Sequence, residues 1–281
     1  MKQLTFTKMH GTGNDFVMID GRNFSPSELD EIRTSARIIC DRRFGVGCDQ
    51  LLLLLNPQQT GDFRMAIFNA DGSEVEMCGN GIRCLAKYIS DHALSNKIEL
   101  KIETQAGLII PKLLGDLVEV DMGEPILEGL EIPTTASGRL VNHPLAVAKK
   151  QWEVTCVSMG NPHCVTFIED VDSLDLEKIG PDFENHEFFP NRVNTEFVQV
   201  LSRTHVKQRT FERGAGETLA CGTGASAVCV AGVLTGSIDR SVQIDLRGGT
   251  LYIHWDEQTN HVFMKGPAAN VFEGTLDLPV S

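Results

Sequence analysis

The second half of this chain repeats the first. Around Cys78 the sequence reads FNADGSEVEMCGNGIRC, and around Cys221, 143 residues later, it reads FERGAGETLACGTGASA. In both segments a Phe precedes the Cys by ten positions, a Glu precedes it by four, and Gly-x-Gly follows at once. Two further pairs of segments recur in the same order at nearly the same offset. A period of half the chain is too long for a solenoid and therefore predicts two homologous domains.

The pattern of apolar residues predicts many strands and few helices. Short apolar or alternating runs bounded by Gly, Pro and Asn are typical of strands, whereas only the segments 27–40, 79–92, 172–183 and 222–235 have a helical pattern. This balance favours an α+β fold over a wound parallel sheet. We expect two pseudo-symmetric domains, each a mostly antiparallel sheet or barrel around a central helix. The predicted boundaries are 1–123, joined by a tail of about 268–281, and 124–267.

Charge and composition exclude several classes of function. The 281 residues include 38 acidic and 25 basic side chains, and this net charge of −13 disfavours nucleic acids and anionic membrane surfaces as partners. The longest aliphatic run, 51–55, is far shorter than the roughly 20 residues of a membrane span. The first residues lack the apolar stretch of a signal peptide. We therefore expect a cytoplasmic protein whose eight cysteines stay reduced.

The repeated Cys-Gly-x-Gly lies where a strand gives way to a helix. A helix N-terminus stabilises a thiolate, and glycines let backbone amides approach a carboxylate or phosphate closely. Pseudo-twofold symmetry would bring the two helix starts together, so that Cys78 and Cys221 flank one small ligand. Such an arrangement favours inversion at a carbon that bears hydrogen: one cysteine removes a proton as thiolate, and the other delivers one to the opposite face as thiol. No cofactor is required, because the amides stabilise the carbanion.

These segments closely resemble the diaminopimelate epimerase family. The matching segments, in family order, are MHGTGNDFVMID, GVGCDQLLL, FNADGSEVEMCGNGIRC, SMGNPHCV, VNTEF and FERGAGETLACGTGASA. The resemblance implies pyridoxal-independent interconversion of LL- and meso-diaminopimelate, on the route to lysine and cell-wall precursor, by a homodimer. It implies that Cys78 and Cys221 are the acid/base pair and that His163 and Glu212 support them. The substrate contacts that it implies are Asn14, Gln50, Asn69, Gly79, Asn80, Asn161, Asn194, Glu212, Arg213, Gly222 and Thr223.

Three other hypotheses remain open at this point. A proline racemase-like enzyme could use the same cysteine pair, although Arg213 beside Glu212 favours a substrate with a second carboxylate. A binding module could hold an anionic metabolite at the helix starts without chemistry. A metal or redox protein could use the cysteines, although we expect no metal and expect the other six cysteines to be packing residues. Glu74 and Glu217, which recur in the repeat, are predicted to be helix caps.

Overall fold

Each half of the chain packs one 13-residue helix against strands of its own sheet. The computed structural model describes residues 3–277. The elements of the first half, in chain order, are β1 (Gln3–Gly11), β2 (Asn14–Asp20), α1 (Pro26–Thr34), α2 (Ala36–Cys40), β3 (Gln50–Leu55), β4 (Phe63–Asn69), β5 (Glu74–Val75), α3 (Gly79–Asp91), β6 (Ile102–Thr104), β7 (Gly107–Ile109), β8 (Lys112–Leu114) and β9 (Leu117–Asp121). Those that follow are β10 (His143–Val147), β11 (Lys150–Ser158), β12 (Pro162–Phe167), α4 (Leu176–Glu184), β13 (Asn194–Ser202), β14 (His205–Glu212), β15 (Gly216–Thr218), α5 (Gly222–Leu234), β16 (Ser241–Leu246), β17 (Gly249–Trp255), β18 (Val262–Pro267) and β19 (Ala269–Asp277).

The chain divides into two compact units. Unit 1 comprises Met1–Val120 with Gly266–Ser281, and unit 2 comprises Asp121–Lys265. The strands of unit 1 follow the order β19-β1-β2-β3-β4-β6-β7, with β5 beside β4. Those of unit 2 follow β10-β11-β12-β13-β14-β16-β17-β18, with β15 beside β14. The last described strand therefore returns to pair with the first, since β19 lies antiparallel to β1.

The two units contain the same βα crossovers. In unit 1, β2 runs parallel to β3 and β4 runs parallel to β6; in unit 2, β12 runs parallel to β13 and β14 to β16. Parallel neighbours need a crossover connection, and each of these four connections contains at least one helix. The other strand pairs within each unit are antiparallel, so each sheet is mostly antiparallel, as predicted, with two parallel pairs. The α+β class and the duplication are confirmed, with five helices among the described residues.

Two of the predicted helices are shorter than their sequence pattern. The segment 27–40 contains two helices, α1 and α2, because the chain breaks at Ser35. Just before the break the Thr34 hydroxyl donates hydrogen bonds to the carbonyls of Asp30 and Glu31, and so competes with the backbone ladder. The segment 172–183 begins as a turn, in which Ser173 donates to the Asp170 carbonyl, and becomes helical only at Leu176.

The helix α5 is enclosed by its sheet, as its apolar sequence predicts. It contacts β11, β12, β13, β16 and β17, and its middle residues from 225 to 231 are buried. Burying a side chain such as Val228 or Val230 contributes about 1.5–3 kcal/mol. This packing fixes the direction of the helix and hence the position of its N-terminus. Within residues 3–277, we find no helix with the length and apolar character of a membrane span.

Candidate active site

Cys78 is the N-cap of α3 in unit 1. Its backbone is extended, and its Sγ accepts a hydrogen bond of 3.4 Å from the Gly81 amide. The Gly79 and Asn80 amides occupy the first turn, where N–H groups have no partner within a helix. The thiol is half-buried and lies 3.8 Å from Asn14 Oδ1. A nucleophilic sulfur and a set of amide donors therefore share one helix start.

The predicted amide side chains of unit 1 form two hydrogen-bonded pairs, one of which includes Asn80 at this helix start. Asn80 Nδ2 donates to Asn14 Oδ1 at 3.2 Å, which joins the second residue of α3 to the start of β2. Gln50 Nε2 donates to Asn69 Oδ1 at 3.0 Å across the β3–β4 ladder. The buried Oδ1 of Asn80 has no hydrogen-bond partner among residues 3–277. An unsatisfied acceptor at a helix start is well placed to receive a hydrogen bond from an ammonium group.

A compact ionic network holds Asn14 in place. Asn14 Nδ2 donates to Asp49 at 2.8 Å, and Arg42 bridges Asp49 and Asp15 at 2.7 Å each. Lys8 pairs with Asp15 at 2.5 Å. Burial opposes ionisation of Asp15, yet the hydrogen bonds and charges of Arg42 and Lys8 hold its pKa well below the usual range. The network carries two positive and two negative charges and is neutral as a whole.

Arg83 is a fully buried cation within α3. Its guanidinium donates to the Gly79 carbonyl at 3.3 Å, to Thr12 Oγ1 at 3.3 Å and to the Pro267 carbonyl at 3.4 Å. Burial lowers the pKa of Arg83 to about 10, and the charges of Cys84 and Cys78 act in the opposite direction. At neutral pH the side chain is therefore still positive, and its charge interacts with the Cys78 thiol.

Cys221 occupies the equivalent position in unit 2. It is the N-cap of α5, and its Sγ accepts a 3.3 Å hydrogen bond from the Gly224 amide and lies 3.5 Å from Thr223 Oγ1. Burial raises the pKa of the Cys221 thiol well above its usual value, and the carboxylates of Glu212 and Glu196 raise it further. Thr223 and Gly224 act in the opposite direction. The surroundings of Cys221 therefore disfavour its thiolate.

His163 is part of a buried chain of polar side chains beside Cys221. Its Nδ1 lies 2.8 Å from Glu196 Oε1, and its Nε2 lies 2.9 Å from Asn161 Oδ1. Because a carboxylate only accepts hydrogen bonds, Nδ1 carries a hydrogen. His163 and Glu196 are both completely buried, and the described part of the chain offers no hydrogen-bond partner to Glu196 Oε2. Both ring nitrogens thus lie against side-chain oxygens, and the two contacts fix the position of the ring.

The remaining predicted residues of unit 2 surround the end of β14. Glu212 Oε1 accepts a 2.5 Å hydrogen bond from Thr218. Asn194 bridges two segments, since its Nδ2 donates to the Pro162 carbonyl and its Oδ1 accepts from the Arg213 amide. The Arg213 side chain is exposed, with one nitrogen on the Asn191 carbonyl at 3.2 Å. Its guanidinium is therefore accessible to a carboxylate.

One group in this half has a composition that metal ions use. The ligating atoms of His163, Glu196 and Cys221 all lie within 4.8 Å of one another. Both ring nitrogens of His163, however, are engaged with Glu196 and Asn161. In the described structure His163 therefore makes hydrogen bonds through both ring nitrogens rather than presenting a free nitrogen to an ion.

Two buried charges near the cysteines are not apparent from the repeat, and a third acidic group has a different role from the one that its position predicts. Glu196 lies in the segment VNTEF and Arg83 in FNADGSEVEMCGNGIRC; the signal for both is a charged residue within an apolar strand or helix pattern. The prediction that Glu217 caps a helix is wrong. Its carboxylate forms two hydrogen bonds with Arg209, at 2.7 and 3.0 Å, and lies 3.2 Å from Arg247. The six other cysteines are buried, as expected of packing residues.

Most of the chain matches a family model. A family model described as diaminopimelate epimerase matches residues 6–128 and 155–271. The chain belongs to the diaminopimelate epimerase family. The diaminopimelate epimerase of Nostoc punctiforme is 53% identical over 279 residues, which cover 97% of this chain and 99% of that protein. That of Acetivibrio thermocellus is 48% identical over 281 residues, with 98% and 99% covered. Both relatives therefore align with this chain over nearly its whole length.

Solved structures outside the family share the fold. A Bacillus anthracis protein of the PhzF phenazine biosynthesis family has a TM-score of 0.71 at 17% identity, with 98% of this chain and 99% of that chain covered. A probable proline racemase from Agrobacterium radiobacter has a TM-score of 0.67 at 13% identity, with 98% and 93% covered. At these identities the likeness concerns the fold alone. The family assignment rests on the sequence relatives.

Proposed function

We propose that this protein is a cofactor-independent isomerase that interconverts LL- and meso-diaminopimelate, in the biosynthesis of lysine and cell-wall precursor. The observation that carries the proposal is the pair of cysteine N-caps, each with its Sγ on the amide of the third helical residue. Identity of about 50% with diaminopimelate epimerases over nearly the whole chain supports the choice of substrate.

The reaction needs one base and one acid on opposite faces of the α-carbon. One cysteine removes the α-proton as a thiolate, which becomes a thiol, while the other thiol delivers its proton to the opposite face and becomes a thiolate. The α-carbon thus loses one proton and gains another with inversion of its configuration, and neither the substrate nor the two cysteines are oxidised or reduced. Reversing the reaction exchanges the roles of Cys78 and Cys221.

The carbanion between these two steps needs electrostatic stabilisation. We assign this role to the first-turn amides of Gly79 and Asn80 and of Gly222 and Thr223, which suit the carboxylate next to the reacting carbon. The amides and carboxamides of Asn14, Asn69, Asn161 and Asn194, with Gln50, suit the ammonium and carboxylate groups of a zwitterion, because a carboxamide both donates and accepts.

Arg213 is the residue that selects the second carboxylate in this scheme. Its exposed guanidinium can bind a carboxylate through two parallel hydrogen bonds. Proline offers no distal carboxylate, so this arginine separates the proposed substrate from that of a proline racemase. His163 and Glu212 support Cys221 by fixing hydrogen bonds and charge around it.

The test follows solvent deuterium into the α-position of LL-diaminopimelate during turnover, without added pyridoxal phosphate. Exchange accompanied by formation of the meso isomer is expected, with L-proline left unchanged. Binding without exchange would instead indicate a module that holds an anionic metabolite. Activity only after addition of the cofactor would contradict the two-cysteine reaction.

Matched cysteine variants separate catalysis from packing. Cys78→Ala and Cys221→Ala should each abolish epimerisation, since each removes one of the two proton carriers. Cys84→Ala should retain most of the activity, because Cys84 is completely buried one turn along α3. Normal turnover in either of the first two variants would contradict the assignment. A homodimer in the cytoplasm completes the proposal, and sedimentation equilibrium tests the dimer.

A further inference from the structure

The two helix starts have the same backbone but opposite charges around the cysteine. The side chain that lies against the third helical glycine is Leu52 in unit 1 and Glu196 in unit 2. Both residues are two positions into their strands, in β3 and β13, which lie parallel to β2 and β12 respectively. On the neighbouring strands, Phe16 of β2 and His163 of β12 occupy equivalent positions, because Phe16 pairs with the first residue of β3 and His163 with the first residue of β13. The apolar pair of unit 1 is therefore a carboxylate and imidazole pair in unit 2.

A second exchange of polarity occurs within the helices. Arg83 in α3 and Ser226 in α5 are 143 residues apart, the same offset as the cysteines, and both are completely buried. Both also donate a hydrogen bond to the carbonyl of the first helical residue: Arg83 to Gly79 at 3.3 Å and Ser226 to Gly222 at 3.0 Å. The hydrogen bond is preserved, but only the helix that begins after Cys78 carries a positive charge at this position.

The charged groups around each thiol can be summed. Cys221 is faced by Glu196 from β13, Glu212 from β14 and His163 from β12, so its surroundings carry at least one negative charge even when the imidazole is protonated. Around Cys78 the buried charge is that of Arg83, since the network behind Asn14 is neutral and Glu74 and Glu76 are exposed. The other titratable groups on the Cys78 side are Lys8, Asp15, Arg42, Asp49 and Cys84. These charges favour a thiolate at Cys78 and disfavour one at Cys221, whereas the 3.8 Å contact of Cys78 Sγ with Asn14 Oδ1 is one that the sulfur makes as a thiol donor.

We propose that this divergence fixes the resting protonation state, with Cys78 as the thiolate and Cys221 as the thiol, and that Arg83 and Glu196 are the positioning residues that set it. The inference rests on the proposed two-cysteine reaction and adds its starting state. The direction of the pKa shift at Cys221 agrees with it. Before substrate binds, the pair holds one proton, on Cys221, and the proton of Cys78 has gone to solvent.

The resting state has a consequence for the two substrate isomers. A free enzyme with Cys78 ionised removes an α-proton only from the isomer that presents it to Cys78. The opposite isomer needs the minor form, in which the proton has moved from Cys221 to Cys78. The two isomers should therefore differ in the pH dependence of kcat/KM, since they bind productively to different protonation states.

The experiment measures each thiol separately in the resting enzyme, without substrate. Iodoacetamide is added at a series of pH values, and alkylation of the Cys78 and Cys221 peptides is followed by mass spectrometry. The midpoint of each rate profile reports the pKa of that thiol, whereas accessibility changes only the plateau. The Cys78 midpoint should lie at least about one pH unit below that of Cys221. Coincident midpoints, or a lower midpoint for Cys221, would overturn the proposal.

Variants test the two assigned residues. Glu196→Gln should lower the Cys221 midpoint by about one pH unit and leave that of Cys78 unchanged. Arg83→Met should raise the Cys78 midpoint, and Arg83→Lys, which keeps the charge, should restore it. Ser226→Ala, the matched position without a charge, should move neither. If Arg83→Met does not fold, the wild-type profiles and Glu196→Gln still decide the outcome. Because alkylation needs no substrate, a failed isotope exchange would refute the proposed function without affecting this measurement.

Discussion

Gly224 is the position where a single methyl group should distinguish the two helix starts. A Cβ added there would lie 2.5 Å from Glu196 Oε1 and 3.2 Å from the Cβ and Sγ of Cys221. At the matched position Gly81, the nearest atom would be Leu52 Cδ2 at 3.3 Å, the far end of a flexible side chain. Both glycines are the third residue of their helices, so Gly224→Ala and Gly81→Ala differ mainly in the atom that they meet.

The expected magnitude follows from what must move. At Gly224 the buried Glu196 carboxylate has to shift by about 1 Å to reach ordinary contact, and overpacking of this kind costs about 1–3 kcal/mol. Its 2.8 Å hydrogen bond to His163 would be lost, at about 1.5–3 kcal/mol for a bond to a charged group. Replacing Gly by Ala within a helix returns about 0.5–1 kcal/mol. The sum is a destabilisation of about 2–5 kcal/mol. Gly81→Ala should stay within about 1 kcal/mol of wild type.

Urea unfolding followed by far-UV circular dichroism measures both variants under the same conditions. At about 2–4 °C per kcal/mol, Gly224→Ala should also lower Tm by at least about 4 °C. Refolded Gly224→Ala should show a lower Cys221 midpoint in the alkylation profile, because the carboxylate has moved away from the thiol. Equal free energies of unfolding for the two variants would refute the view that the Glu196 carboxylate packs closely against Gly224 at the start of α5.

Three other predictions concern charge, substrate and metal. The hydrogen bond from Arg209 holds the pKa of Glu217 below 4.5, so its stabilisation is fully present above that pH and is lost as the pH falls through the lower folded-state value. Wild type and Glu217→Gln should therefore differ in urea midpoint above about pH 5 and converge in acid; a constant difference would contradict this. Arg213→Met should raise KM for diaminopimelate about 10–100-fold with little change in the pH profile, and an unchanged KM would remove its assigned role. Dialysis against EDTA should leave turnover unchanged, because both ring nitrogens of His163 are already hydrogen-bonded; a loss that Zn²⁺ restores would indicate a metal site.

The backbone at each cysteine could be predicted from the sequence because it depends on local chemistry. A Cys at the end of a strand followed by Gly-x-Gly specifies a cap and a helix start, and both occur where the repeat predicts them. The apolar sequence of α5 likewise predicts its burial from composition alone. The parallel pairs could not be predicted in this way, because strand direction depends on which distant segments become neighbours. The sequence indicates four helical segments, but it does not indicate which strands these helices connect.

The side-chain partners of residues on neighbouring strands could not be predicted from the sequence for a related reason. Glu217 and Glu74 occupy equivalent positions of the repeat, and this equivalence predicts the same local role for both. In the structure its partner, Arg209, lies on the neighbouring strand β14, where β15 is antiparallel to it. Glu196 was hidden differently, since one acidic residue in a strand is usually exposed. Only the register that places β13 beside β12 shows that this carboxylate meets His163.

Duplication explains why both cysteines are N-caps with the same backbone geometry. Differences between the side chains around them explain how one can act as a base while the other acts as an acid. A one-for-one proton exchange needs a base and an acid at the same moment, and two identical halves would give both thiols the same tendency to ionise. The backbone does not distinguish the two thiols, because an equivalent amide donates to each sulfur: that of Gly81 to Cys78 at 3.4 Å and that of Gly224 to Cys221 at 3.3 Å. Buried side chains can, since a charge in a low-dielectric interior acts strongly on its neighbours. Arg83 and Glu196 are therefore the positions at which, in our proposal, the two halves differ so that one thiol begins as the base.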